Sequence, residues 1–139
     1  WRFLKMEKTI RQYARQKAIF CVYQNLLINA SLEELLHFID LDPELKDGYS
    51  AKKFAIRLVK TGLESKDNYI VLISKELKKG WTFNRLSYME QAILLVATCE
   101  LADSELDKRI IINEAVINAK EFCDEESYKF INGVLNEVI

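Results

Sequence analysis

The apolar residues of this chain recur at intervals of three and four positions from one end to the other, the period of helices buried along one face. Little interrupts that period. The 139 residues include four Gly and one Pro, the two residue types that helix interiors tolerate least. Together these features predict an all-α fold of long helices joined by short turns. At this length the chain is expected to form one domain, and folding can bury roughly two-thirds of the surface an unfolded chain exposes. Half the residues are apolar, which is enough to fill such a core without staples.

The stretch KTIRQYARQKAIFCVYQ, residues 8–24, reads as a helix that begins as a cationic surface and ends as a core element. At 100° per residue, Lys8, Arg11 and Arg15 share an arc of about 60°, while every residue from Ala18 to Val22 is apolar. A second helix, SLEELLHFI, starts at Ser31, with Glu34 placed to complete a capping box. The loop DLDPELKDGYS follows, then a third helix, SAKKFAIRLVKTGLES, with Phe54, Leu58 and Gly62 on one stripe. DNYIVLISKELKKG predicts a fourth helix from an Asp or Asn cap to Gly80. WTFNRL is a tight link, and SYMEQAILLVATCELA, the most apolar helix, belongs at the centre. A charged linker, DSELDKR, precedes INEAVINAKEF, with Asn113 as its cap, and DEESYKFINGVLNEVI. Asn132-Gly133 is a hairpin signature. The recurrence of Phe130, Ile131, Val134, Leu135 and Val138 at three and four outweighs it, and Gly133 is read as a close helix–helix contact.

Charge is distributed unevenly. Residues 1–24 hold Arg2, Lys5, Lys8, Arg11, Arg15 and Lys17 against Glu7, so this end carries +5 and the remainder −6 of an overall −1. The positive end is where a polyanion would dock. Cys21, Cys99 and Cys123 are odd in number and lie among apolar neighbours, as buried free thiols of a reducing cytosol do. No stretch approaches the roughly 18 apolar residues of a membrane span and no signal peptide is visible, so a cytoplasmic protein is expected. His37, the single histidine, has no partner at a metal-ligand spacing. Nucleophile elbow, Cys-His pair and glycine-rich phosphate loop are all missing, and Glu33/Glu34 and Glu125/Glu126 sit where helix starts favour carboxylates. An enzyme reading has no residues to rest on, and neither cofactor nor metal is expected.

Three blocks carry a family resemblance. YARQKAIFCVYQ resembles the opening helix of the NusB family, and INEAVINAKEFCDEESYKFINGVLNEV is similar to its C-terminal signature. WTFNRLSYMEQAILLVATCEL resembles its Trp-x-x-x-Arg-Leu link and most apolar helix. With FAIRLVKTGL the resemblance covers nearly the whole chain, the C-terminal block being the most specific part. It implies a seven-helix, all-α NusB-like bundle of two helical subdomains, roughly residues 1–80 and 81–139. It also implies a factor that binds boxA-type single-stranded RNA with the small-subunit ribosomal protein NusE, within the RNA polymerase antitermination complex on ribosomal RNA operons. Carried over by position, Arg11, Arg15, Tyr23, Glu126 and Phe130 are the expected RNA-facing residues, joined by Lys8 of the same basic arc and by Lys129, and Glu90 is the expected contact to the ribosomal protein on a separate acidic surface. Basic groups would supply backbone affinity and aromatic rings stacking platforms.

The chain departs from the family pattern in places. Gln12 and Tyr13 stand where some members extend the arginine run, Leu95 takes a position that is often Arg, and Cys123 replaces a frequent Gly. Two rival readings remain beside the first. One is an RNA-targeting module of a ribosomal RNA cytosine methyltransferase, and the other is a helical interaction protein with no RNA role. The free protein could be a monomer or a homodimer that hides its RNA face.

Overall fold

The computed structural model describes residues 8–139, so Arg2, Lys5 and Glu7 of the basic start lie outside the described residues. These residues form seven α-helices and no strand: α1 (Ile10–Ile28), α2 (Leu32–Asp40), α3 (Tyr49–Glu64), α4 (Lys66–Ser74), α5 (Tyr88–Asp103), α6 (Lys108–Phe122) and α7 (Ser127–Glu137). A 3-10 turn, Phe83–Arg85, links α4 to α5. The expected all-α architecture of seven helices is what the chain adopts. No helix among the described residues is long and apolar enough to cross a membrane.

α5 is the axis. Every residue from Gln91 to Glu100 is buried, because α1, α3, α4, α6 and α7 all pack against it. Its apolar all-round sequence therefore has a partner on each side, and each fully buried Leu or Ile there contributes about 1.5–3 kcal/mol of burial energy. α5 starts with a reciprocal capping box: the Glu90 backbone N–H donates to Ser87 Oγ at 3.1 Å, and the Ser87 N–H donates to Glu90 Oε1 at 3.0 Å. α1 starts the same way, with Thr9 and Gln12 as the pair. Gln12 Nε2 also donates to Glu114 at 3.2 Å, which ties α1 to α6. Gln12 thus has structural work at both the start of α1 and its contact with α6.

Several local expectations are corrected. α4 stops at Ser74 rather than at Gly80, and its N-cap Ser65 makes no side-chain bond. Gly80 instead takes φ +90° in a turn closed by the Trp81 N–H on the Lys78 carbonyl at 2.9 Å, a backbone that favours glycine. α6 begins at Lys108 with Asp107 as its cap, so Asn113 is an interior helical residue and part of the expected linker is helix. Ser31 Oγ accepts from the Glu34 N–H at 3.2 Å as predicted, but the Glu34 carboxylate accepts from the Ser31 hydroxyl rather than from its backbone. Gly133 is helical, yet a Cβ there would meet nothing within 4 Å, so it makes no close helix–helix contact.

The largest correction concerns Arg15. It is 5% exposed, not part of an open basic face. Its Nε and Nη2 donate to the two carboxylate oxygens of Glu100 at 2.6 and 3.0 Å, and its Nη1 lies 3.8 Å from Glu114. A guanidinium this deep needs such a bidentate partner, since an unpaired charge could not be buried there.

Candidate nucleic-acid interface

The three basic residues of the α1 arc diverge. Lys8 turns toward α6, donating to Gln16 and Glu121 at 2.8 Å each, with its ammonium 5.8 Å from the Phe122 ring centre. Phe122 packs edge-on against Phe20 with ring centres 5.0 Å apart. Arg11 turns toward α3 and is exposed, its guanidinium 4.3 Å from the Phe54 ring centre. Arg15 turns inward, as described above. Tyr23 is half-buried and packs against the core.

α5, α7 and the link between α4 and α5 enclose a cleft of about 670 Å³. Four of the expected site residues meet in it: Glu90, Glu126, Lys129 and Phe130. Glu90 therefore shares a cleft with the residues from which it was expected to stand apart, and that separation is corrected. The capping box holds one Glu90 oxygen, while the other accepts from the Ser127 hydroxyl at 2.9 Å, so the carboxylate joins the starts of α5 and α7. Glu126 and Lys129 form an exposed i,i+3 ion pair at 3.0 Å, worth little in water. Gly133 lies on the cleft wall, where its missing side chain leaves the space beside Phe130 open. Lys8, Arg11, Arg15 and Tyr23 do not line this cleft.

Trp81, which the sequence reading placed in a link without a role, is half-exposed on the same cleft. The Arg85 guanidinium sits 5.0 Å from its ring centre. The sequence alone does not separate it from Phe83, two residues on, which is 4% exposed and enters the core. Trp81 and Phe130 give the cleft two rings. Its ionised lining is acid-rich, with Glu76, Glu90, Asp124 and Glu126 against Lys78 and Lys129. Such a site repels phosphates but suits base rings, because carboxylates accept from base amino groups.

The NusB family model matches residues 12–139. This chain belongs to the NusB family. The transcription antitermination protein NusB of Bacillus mycoides is 36% identical over 129 residues, spanning 92% of this chain and 95% of that protein. Among solved structures, T. maritima NusB superposes with a TM-score of 0.84 at 32% identity, covering 95% of this chain and 92% of that one. A complex described as antitermination factors NusB and NusE with dsRNA matches with a TM-score of 0.79 at 26% identity, over 93% of this chain and 95% of that one. Within this NusB-family chain, Cys123 ends α6 in extended backbone, φ −117° and ψ 176°, so the turn needs no left-handed glycine. Leu95 is 1% exposed, an apolar residue of the core.

Proposed function

We propose that this chain is a non-enzymatic transcription antitermination factor of the cytoplasm that binds boxA-type single-stranded RNA together with the ribosomal protein NusE. Its relatives are named transcription antitermination proteins, and a structural neighbour is a complex of NusB and NusE with dsRNA, which supports the RNA and partner contacts of this reading. In this reading it acts as part of the RNA polymerase antitermination complex, with a single domain carrying both contacts.

The observation that carries the proposal is the meeting of Trp81, Phe130 and Glu90 in one cleft. Unpaired bases enter it and stack on the rings, while its carboxylates accept from base amino groups. The acid-rich rim near Glu90 meets the basic ribosomal protein, so RNA and partner bind side by side and each strengthens the other. Phosphates stay outside, on cations such as Lys8 and Arg11.

The test is fluorescence anisotropy of a labelled boxA-type RNA and a scrambled RNA, with the protein alone and with its cognate ribosomal protein. Phe130→Ala is the informative variant, since stacking is worth about 1–3 kcal/mol per base. The reading requires the partner to tighten boxA binding more than scramble binding, and Phe130→Ala to weaken boxA binding about tenfold or more. Equal binding of both RNAs, untouched by Phe130→Ala, would refute it.

A further inference from the structure

A second concavity, of about 760 Å³, lies between the start of α1 and the outer face of α3 and shares no residue with the cleft. Arg11, Lys53, Arg57 and Lys60 line it together with Tyr49 and Phe54, and no carboxylate does. On α3, Tyr49, Lys53, Arg57 and Lys60 stand at i, i+4, i+8 and i+11, which places them on one face along roughly 16 Å of helix. Arg11 reaches the same groove from α1 and lies within 3.5 Å of Ser50 Oγ.

The cations here are largely unspent. Among the described residues Arg11, Lys53 and Lys60 form no ion pair, and only Arg57 has one, to Asp103 at 3.4 Å. Elsewhere some cations are matched to carboxylates, as Lys8, Lys17, Lys52 and Lys129 are, and others, such as Lys46, Lys75 and Lys79, form no ion pair among the described residues; what marks this groove is four cations gathered with no carboxylate among them. Tyr49 is 75% exposed, with the Lys53 ammonium 5.3 Å from its ring centre, so a large ring is presented to solvent beside a positive charge. A cationic groove with an open aromatic ring suits a strand of phosphates with bases to stack. It is the electrostatic opposite of the acid-rich cleft.

We infer that the α1–α3 groove binds the phosphodiester backbone of RNA flanking the element held in the cleft, with Lys53, Lys60 and Arg11 on phosphates and Tyr49 on a base. This inference rests on the RNA-binding reading and extends it to a longer footprint. It makes affinity depend on RNA length, and it assigns residues that the basic start of α1 does not include.

The test uses two synthetic RNAs, the boxA-type element alone and the same element extended by about ten nucleotides at each end, titrated at several salt concentrations with the protein in the presence of its cognate ribosomal protein. Lys53→Gln/Lys60→Gln is compared with the wild type and with Lys53→Arg/Lys60→Arg. Both lysines are exposed and form no ion pair among the described residues, and thermal melting verifies that the fold is kept. For the wild type the extended RNA is expected to bind more tightly with a steeper salt dependence. The Gln variant should lose about tenfold on the extended RNA at 0.15 M salt, with a salt slope shallower by about 1.4, the counterions released at two single-strand contacts. On the short RNA it should match the wild type, and the Arg variant should retain both affinities. A Gln variant that keeps the full length-dependent gain overturns the groove assignment and leaves the cleft reading standing. If the wild type fails to bind the short RNA at all, the RNA-binding reading itself falls, and the inference with it.

Discussion

Replacing Arg15 with Met should unfold this protein more readily than it should weaken RNA binding. Arg15 and Glu100 are 6% and 2% exposed at their side chains and share two charge-assisted hydrogen bonds of 2.6 and 3.0 Å. Removing the guanidinium strands Glu100 on the most buried helix of the fold. Stranding one partner of a buried pair destabilises by about 3–5 kcal/mol. For a domain of this size that corresponds to a fall in Tm of roughly 12–20 °C. Glu114, the third member, is 17% exposed and keeps the Gln12 amide, so it needs the guanidinium less. The double variant Arg15→Met/Glu100→Leu removes both charges and should recover most of the loss, since apolar replacement of a buried pair is often neutral. Circular dichroism melts of the two variants, with RNA anisotropy well below their midpoints, measure both properties. The reasoning is refuted if Arg15→Met melts within about 1 kcal/mol of wild type yet loses RNA binding, for then the side chain reaches the RNA. A charge reversal at Arg15 is a poor probe of the basic face, because it would set three carboxylates against one another in the interior.

Gly133→Ala should stabilise the protein by about 0.5–1 kcal/mol in urea titrations, since a helical Cβ there meets nothing. Gly133→Leu should also fold but fill the space beside Phe130, and an unchanged RNA affinity would count against the cleft as the base-binding site. Ser87→Ala removes the cap of α5 and should cost about 1 kcal/mol, read as a Tm lower by roughly 4 °C. Burial pushes the thiols of Cys21, Cys99 and Cys123 from 9.0 up to about 11. Above pH 9 the unfolded chain sheds these protons and the folded chain holds them, so stability should be intact below pH 9 and decline as pH rises to 11. Urea midpoints across pH 8–11 test this, and the decline should be smaller in Cys21→Ala.

The helices were readable because their period needs no knowledge of neighbours, and α5 announced its central place by being apolar on every side. Their ends were less so. Lys78, Lys79 and Gly80 look like a helix C-terminus, yet the glycine serves a separate turn, five residues after Lys75 closes α4. Asn113 is a good cap by type, but Asp107 lies upstream and takes the role first. The angle of Arg15 on α1 was right and its environment was not, because a helical wheel says nothing of what stands across from an arc. Its partner Glu100 lies 85 residues away in sequence. Within the cleft, Glu126, Lys129 and Phe130 came from one block of resemblance, and Glu90 joined them only through the packing of α7 on α5. The α3 cations stand in plain view at helical spacing, but the −6 carried by the residues after Gln24 taken together masks them.

Glu90 holds two helix starts with one carboxylate, capping α5 with one oxygen and accepting from Ser127 at the first residue of α7 with the other. Phe130 stands three residues further along, less than one turn. The carboxylate is therefore a hinge pin as well as a surface charge. Whatever draws its second oxygen outward frees the Ser127 hydroxyl and slackens the first turn of α7, and the slack is delivered to the ring that a base would rest on. A ligand gripping Glu90 from the rim would retune the cleft without touching its floor, and truncating Glu90 would blur contact and posture into a single loss.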